Sequence, residues 1–212
     1  FPVLSTIQDD MSRLQTNYRR LLKLSAFIVF PLMMGLAAVA FPLIRIVLTP
    51  KWEGCSFYLQ IICFALMWYP IHAINLNLLQ VKGRSDLFLR LEVIKKIVGI
   101  CIMCITIPLG ITAMCIGMVV SSLISLFINT YYTGKLINIG CLKQIRDLLP
   151  ILFNSLLMGS IVCLVIQLFT NDFIKLITGI FIGVFSYIGG ASFFSKQELK
   201  ECCSLFKHKT NG

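Results

Sequence analysis

Six apolar stretches, each about as long as a bilayer is thick, are joined by loops whose positive charge alternates between heavy and light. They run near Leu21–Leu48, Phe57–Leu79, Leu87–Leu109, Ile111–Tyr132, Leu148–Phe169 and Phe173–Phe194. A crossing helix needs roughly 20 mostly apolar residues at about 1.5 Å each. Of the 19 Lys and Arg, all but Arg45, Lys51 and Lys175 fall on one side of these spans. They sit in Arg13–Lys23, Lys82–Lys96, Lys135–Arg146 and Lys196–Lys209. Short loops rich in Lys and Arg stay cytoplasmic, so both ends are expected inside, and only an even number of spans permits that. The expected fold is all-α: a polytopic up-and-down helical bundle of about six transmembrane helices.

Composition excludes a water-soluble domain. The chain is 58% hydrophobic and 13% charged, with a mean hydropathy of +0.88, and a soluble chain of this size needs more polar surface than that. The net charge of +10 is spread over span ends and not gathered on one face, which points to anionic phospholipid headgroups and away from nucleic acid. The 9 cysteines lie mostly in apolar spans or in loops expected in the reducing cytoplasm, so they form no disulfide framework. Cys101-x-x-Cys104 reads as two small apolar residues of a span, since neither a second pair nor a nearby His accompanies it. No metal site and no cofactor is expected; H⁺ or Na⁺ coupling stays open. The sequence begins Phe1-Pro2-Val3-Leu4-Ser5, which reads as the end of an earlier apolar helix. The chain is therefore expected to be the C-terminal portion of a longer membrane protein.

The loops carry helix signals. Thr6–Lys23 suits a short cytoplasmic helix, with Asp9-Asp10 at its start and basic residues at its end, complementing the helix dipole. Ser85 is expected to cap the third span. Pro31, Gly35 and Pro42 interrupt the first span, because an interior Pro removes a hydrogen bond and clashes with the carbonyl four residues back. Such breaks survive in membranes where protein or water satisfies the freed groups.

Two spans carry candidate functional residues. In the second, Trp68-Tyr69-Pro70 falls at the midpoint, too deep for an interfacial aromatic belt. At about 100° per residue Trp68, His72 and Asn75 share a face, Tyr69 and Gln80 flank it, and Asn77 points the other way. Lipid offers an amide or imidazole no partner, so this face should meet protein or a wet cavity. His72 either senses protons there or bridges helices. In the third span the purely apolar part, Ile97–Leu109, covers only roughly 20 Å of a core about 30 Å thick. Arg90, Glu92, Lys95 and Lys96 are thereby drawn into the membrane, where charge must pair, snorkel or face water. Asp86 with Arg90, and Glu92 with Lys96, are spaced to pair. The surplus cation suits an anionic ligand. The fourth span adds a polar stripe of Ser122, Ser125 and Asn129, with Ser121 beside it. The last two spans are nearly all apolar and read as peripheral, with Gly179-x-x-x-Gly183 permitting close helix approach.

These residues also carry a resemblance. Phe30-Pro31-Leu32-Met33, Gly35–Ala40, Lys51-Trp52, Leu59-Gln60-Ile61, Trp68-Tyr69-Pro70, Asn75-Leu76-Asn77, Gly83-Arg84-Ser85-Asp86 and Leu91-Glu92-x-x-Lys95-Lys96 follow in that order. The chain resembles the C-terminal half of a lipopolysaccharide or O-antigen flippase of the multidrug/oligosaccharidyl-lipid/polysaccharide exporter superfamily. The likeness is specific to about Tyr132 and continues as hydrophobicity alone. It implies two lobes of helices around a central cavity, in the bacterial cytoplasmic (inner) membrane. It implies movement of an undecaprenyl-pyrophosphate-linked oligosaccharide by alternating access, and no enzymatic activity. Residues 1–132 would then be a cytoplasmic loop and four helices of the second lobe, 133–194 a terminal helix pair and 195–212 a cytoplasmic tail. The missing N-terminal half of the same protein would be a partner, beside the lipid-linked oligosaccharide and membrane phospholipids. The family has no short motif that fixes a site, so the candidate substrate-binding residues come from the cavity reasoning. They are Arg90, Lys95, Lys96 and Arg45 for pyrophosphate, Glu92 beside them in the cavity, and Trp68, Tyr69, His72 and Asn75 for sugars.

Three other readings compete, one of them a non-transporting scaffold in a polysaccharide assembly complex. A drug-cation exporter of the same superfamily wants an unpaired carboxylate at depth, for which Glu92 is the one candidate. An intramembrane polyprenyl-phosphate transferase wants clustered carboxylates for a divalent metal, and Asp9-Asp10 is the sole adjacent acidic pair.

Overall fold

The computed structural model describes residues 10–210. Among them the regular structure is helical: α1 (Met11–Ala38), α2 (Ala40–Leu48), α3 (Cys55–Leu66), α4 (Tyr69–Val81), α5 (Ser85–Thr106), α6 (Ile111–Ile137), α7 (Cys141–Ile166), α8 (Asp172–Phe194) and α9 (Lys196–Thr210), with 3-10 turns at Pro50–Trp52 and Ile107–Leu109. Five of these segments are long and apolar enough to cross a membrane: α1, α6, α7, α8 and the run Cys55–Val81 that joins α3 and α4. The protein is a multi-pass membrane protein. The other expected span is α5, whose 22 residues reach about 33 Å. Arg90, Glu92, Lys95 and Lys96 interrupt its apolar character.

The polar segment before the first span is not a helix of its own. It is continuous with that span as α1, because no Gly or Pro interrupts residues 10–30. Asp10 starts the helix, its Oδ1 accepting the N–H groups of Ser12 and Arg13 at 3.1 Å each, as an N-cap does. Asp9 lies outside the described residues. Ser85 is not a cap: it is the first residue of α5, Arg84 precedes it, and no side chain caps that end. Arg84 instead holds Asp86 through two bonds of 3.0 Å, a pairing between neighbours that replaces the expected Asp86–Arg90 pair.

The chain divides into two compact units, one built on residues up to Ser25 with Phe64–Asp147, the other on Ala26–Cys63 with residues from Leu148 onward. In the second unit the prolines explain the polar contacts. Pro31 stays inside α1 yet cannot donate to the Phe27 carbonyl; the Tyr187 hydroxyl donates to it instead at 2.8 Å. Pro42 likewise strands the Ala38 carbonyl. The helix gives way at Val39 (φ −98°, ψ 12°) and restarts as α2. Gln60 Nε2 donates to the neighbouring Ala37 carbonyl at 3.1 Å, and the Cys163 thiol faces that of Ala38 at 4.0 Å. With water absent from the hydrocarbon, such substitutes let an interrupted helix persist.

Packing in this unit centres on Ala38, Val39, Val162 and Ile166. Gly179 makes it possible: a Cβ there would lie 2.7 Å from Val39 Cγ1 and 3.3 Å from Ile166 Cγ2. Gly183 faces Val162 and Met158. The Gly-x-x-x-Gly pair is thus used as a contact, and α7 and α8 supply buried partners that the peripheral reading did not foresee. Arg45 also belongs here. It lies 3.7 Å from Glu53, 3.5 Å from Asp172 and 5.5 Å from the centre of the Phe41 ring.

Candidate functional site: a charged groove on α4, α5 and α6

In the first unit, short connections at Lys82–Arg84 and Pro108–Gly110 make α4, α5 and α6 antiparallel neighbours. Glycines bring α5 and α6 close. A Cβ on Gly117 would meet Ile102 Cγ2 at 2.9 Å, and one on Gly99 would meet Ser121 Oγ at 3.8 Å. The three helices enclose a groove of about 830 Å³. At one end stand Asn77 and Gln80 of α4, Glu92, Lys95 and Lys96 of α5, and Ser125 of α6. Toward the other the lining becomes apolar, with Leu66, Ile100, Met103, Met114 and Met118. Tyr69 and His72 lie along its α4 wall, Ser121 and Ser122 along its α6 wall.

The charges are organised. Lys95 Nζ donates to Glu92 Oε1, one turn away. The Lys95 side chain is 13% exposed, so the pair is held largely within protein. The partner of Glu92 is therefore Lys95 and not Lys96. Lys96 is exposed on the groove lining and leaves it with a net positive charge. An ammonium in a partly dehydrated cleft favours an anionic ligand, because bulk water competes poorly there with charge-assisted bonds.

His72 is gripped from both sides. Asn129 Nδ2 lies 3.4 Å from its Nδ1, and its Nε2 lies 3.3 Å from Ser122 Oγ. Ser122 donates onward to the Ala65 carbonyl at 2.9 Å, just ahead of the turn at Met67-Trp68 that precedes Pro70. The polar stripe of α6 thus serves both the groove and the interrupted helix beneath it.

The structure brings five of the nine candidate residues to the groove: Glu92, Lys95, Lys96, Tyr69 and His72. The others lie elsewhere. Arg90 is exposed on the side of α5 away from the lining, and Arg45 sits in the second unit with its two carboxylates. Trp68 is buried at 8% exposure, its ring 6.5 Å from that of Phe64. Asn75 is at 1% exposure. Its Oδ1 accepts from Tyr18 at 2.9 Å and Thr133 at 2.6 Å, and its amide pairs with Gln144. The face of Trp68, His72 and Asn75 thus meets protein, while Tyr69, Ala73, Leu76 and Gln80 form the groove stripe, with His72 and Asn77 on its margins.

Comparison with known proteins fits this arrangement. Residues 1–57 match a family model described as "Polysaccharide biosynthesis protein". An uncharacterised membrane protein of the cps region of Klebsiella pneumoniae is 29% identical over 143 residues, 67% of this chain and 30% of that protein. The lipopolysaccharide biosynthesis protein WzxC of Escherichia coli (strain K12) is 30% identical over 130 residues, 61% of this chain and 26% of that one. Among solved structures, the lipid II flippase MurJ in an inward closed conformation superposes with a TM-score of 0.71 at 26% identity, over 92% of this chain and 42% of its own. The chain is thus similar to membrane proteins of polysaccharide biosynthesis and, in fold, to a lipid II flippase. It spans about a third or less of the curated relatives it matches.

The sequence left two parts of the first unit unread. One is the buried cluster of Tyr18, Asn75, Thr133 and Gln144. The other is the Arg19–Asp147 pair, with bonds of 2.6 and 2.5 Å. Both join residues far apart in the chain. Their one local signal is polar side chains at helical spacing inside or beside apolar stretches.

Proposed function

We propose that this chain is part of a carrier that moves a polyprenyl-pyrophosphate-linked oligosaccharide across the bacterial cytoplasmic membrane. The cargo would be the undecaprenyl-linked unit of lipopolysaccharide, O-antigen or capsule synthesis, moved by alternating access together with the remainder of the protein. The observation that carries this reading is the groove on α4, α5 and α6, cationic at one end through Lys95 and Lys96 and apolar at the other. A pyrophosphate cannot enter hydrocarbon bare, and two ammonium groups in a cleft replace part of its hydration. Tyr69, Asn77 and Gln80 supply a ring face and amides of the kind that hold sugars. Arg45, Trp68 and Asn75 are engaged by protein groups, and Arg90 lies off the groove lining. The relatives' names support the cargo class, and the basic loops support an orientation with both ends of this chain cytoplasmic.

The competing readings have weaker support. Glu92 is bonded to Lys95, whereas a drug-cation exporter wants a carboxylate free to take the cation. The test is complementation: Lys95→Ala with Lys96→Ala, in the intact protein, should reduce surface polysaccharide and leave lipid-linked precursor on the cytoplasmic leaflet at unchanged protein level. Normal export by the double variant would end the proposal.

A further inference from the structure

His72 is held in a way that a simple bridge between helices does not need. In the arrangement described, Asn129 donates to Nδ1, so the imidazole proton is on Nε2, which donates to Ser122 Oγ; the Ser122 hydroxyl donates to the Ala65 carbonyl. The three bonds run in one direction and suit a neutral ring. The residue that completes them is itself unsatisfied. Asn129 is 1% exposed, and its Oδ1 is buried with no hydrogen-bond partner among the described residues. A buried acceptor left empty is costly, and here it belongs to the same amide that touches a titratable nitrogen.

From this we propose that His72 is a proton-binding site of the groove, with Asn129 as its switch. A proton arriving from the groove adds to Nδ1. The Asn129 amide then turns over, so that its unpartnered Oδ1 accepts from the new Nδ1–H. Nε2–H, Ser122 and the Ala65 carbonyl keep their bonds. The ring therefore gains a positive charge without losing its anchor on α6.

The groups that face this site are few. From α4 there is Tyr69. From α5 there are Glu92 and Lys95, bonded to each other and so nearly neutral as a pair, with Lys96 further along the lining. From α6 there are only Ser121, Ser122, Ser125 and Asn129, none of which titrates in the physiological range. A charge that appears on His72 is felt in the groove, where it adds to the net positive charge left by Lys96. By linkage, an anion in the groove and a proton on His72 each strengthen the hold on the other. The proton site itself stands on the His72–Asn129 geometry and does not depend on what the groove carries.

The test is direct observation of the ring. In the intact protein in neutral-lipid nanodiscs, ¹⁵N NMR follows the imidazole nitrogens, with His72 assigned by difference against His72→Gln. The expected result is an Nε2–H tautomer at alkaline pH that becomes doubly protonated on acidification. Asn129→Asp should raise the midpoint by about one pH unit or more, and Asn129→Leu should lower it by a similar amount. If Asn129→Leu fails to fold, Asn129→Asp alone decides. A ring that stays neutral at all pH values at which the protein is folded overturns the proposal. So does a midpoint indifferent to residue 129. Loss of export in the Lys95 and Lys96 variants, with a His72 ring that still protonates and whose midpoint still responds to residue 129, would keep the two readings separate.

Discussion

Replacing Tyr187 by Phe tests whether the prolines of the second unit are tolerated because other helices answer their carbonyls. Pro31 leaves the Phe27 carbonyl without its helical donor, and the Tyr187 hydroxyl fills that place at 2.8 Å from a side chain 7% exposed. The variant keeps the ring and its packing on Phe27, at 5.2 Å between centroids, so only the hydroxyl is lost. A buried carbonyl stripped of its donor costs about 1–3 kcal/mol, and hydrogen bonds within membranes fall toward the low end of such ranges, at about 0.6–1.7 kcal/mol. A loss of about 1–2 kcal/mol is expected. The decisive comparison is the same change in a Pro31→Ala background. That substitution restores the N–H that the helix lacks, so the Tyr187 hydroxyl becomes largely redundant and its removal should cost about 0.5 kcal/mol or less. The assay is a four-variant cycle of reversible unfolding in mixed micelles. Equal costs of Tyr187→Phe in both backgrounds would refute the reasoning, because the bond would then have nothing to do with the proline.

Glycine positions on α8 should separate sharply. Gly179→Ala places a Cβ against Val39 and should destabilise by about 1–3 kcal/mol, whereas Gly189→Ala, with nothing within 4 Å, should be neutral or stabilising by up to about 1 kcal/mol; thermal unfolding in detergent reads both. At the start of α1, the Arg13 N–H first, then the Ser12 hydroxyl, hold the Asp10 carboxyl below its ordinary value of 3.8. A lowered carboxylate stabilises above that value and loses its effect as pH falls through the lowered one. Amide protection at Ser12 and Arg13 should therefore persist down to about pH 4 and fade below it; protection that survives full protonation of Asp10 would contradict the cap.

The fold was legible where a pattern repeats. Apolar runs of bilayer length and the asymmetry of Lys and Arg give a helical membrane bundle. Short turns such as Pro108–Gly110 give antiparallel neighbours. Lys95 and Lys96 could be placed at a cavity because the apolar part of α5 is too short to span alone. The rotation of α4 was not legible. Asn75 and Asn77 are alike as amides, and the choice between them depends on Tyr18, Thr133 and Gln144, which come from distant parts of the chain. The surroundings of Arg45 are hidden for a similar reason: a cation near a span end looks available in the sequence, and the structure places Glu53 and Asp172 beside it. Pro31 and Pro42 announce carbonyls without helical donors, and Pro42 a break, but Tyr187, Gln60 and Cys163 as the substitutes are facts of tertiary packing.

The central claim is that the groove acts through positive charge, and the Lys95–Glu92 pair allows a test of sign. In the intact protein, Lys95→Gln and Glu92→Gln are compared in the export assay at matched expression. Loss of one charge-assisted bond to an anion is worth about 1.5–3 kcal/mol, or roughly tenfold to a hundredfold in affinity. Lys95→Gln should therefore depress export strongly, while Glu92→Gln, which frees the ammonium from its internal partner, should retain it. The reverse order, with Glu92→Gln inactive and Lys95→Gln normal, would contradict the account and make the carboxylate the working group.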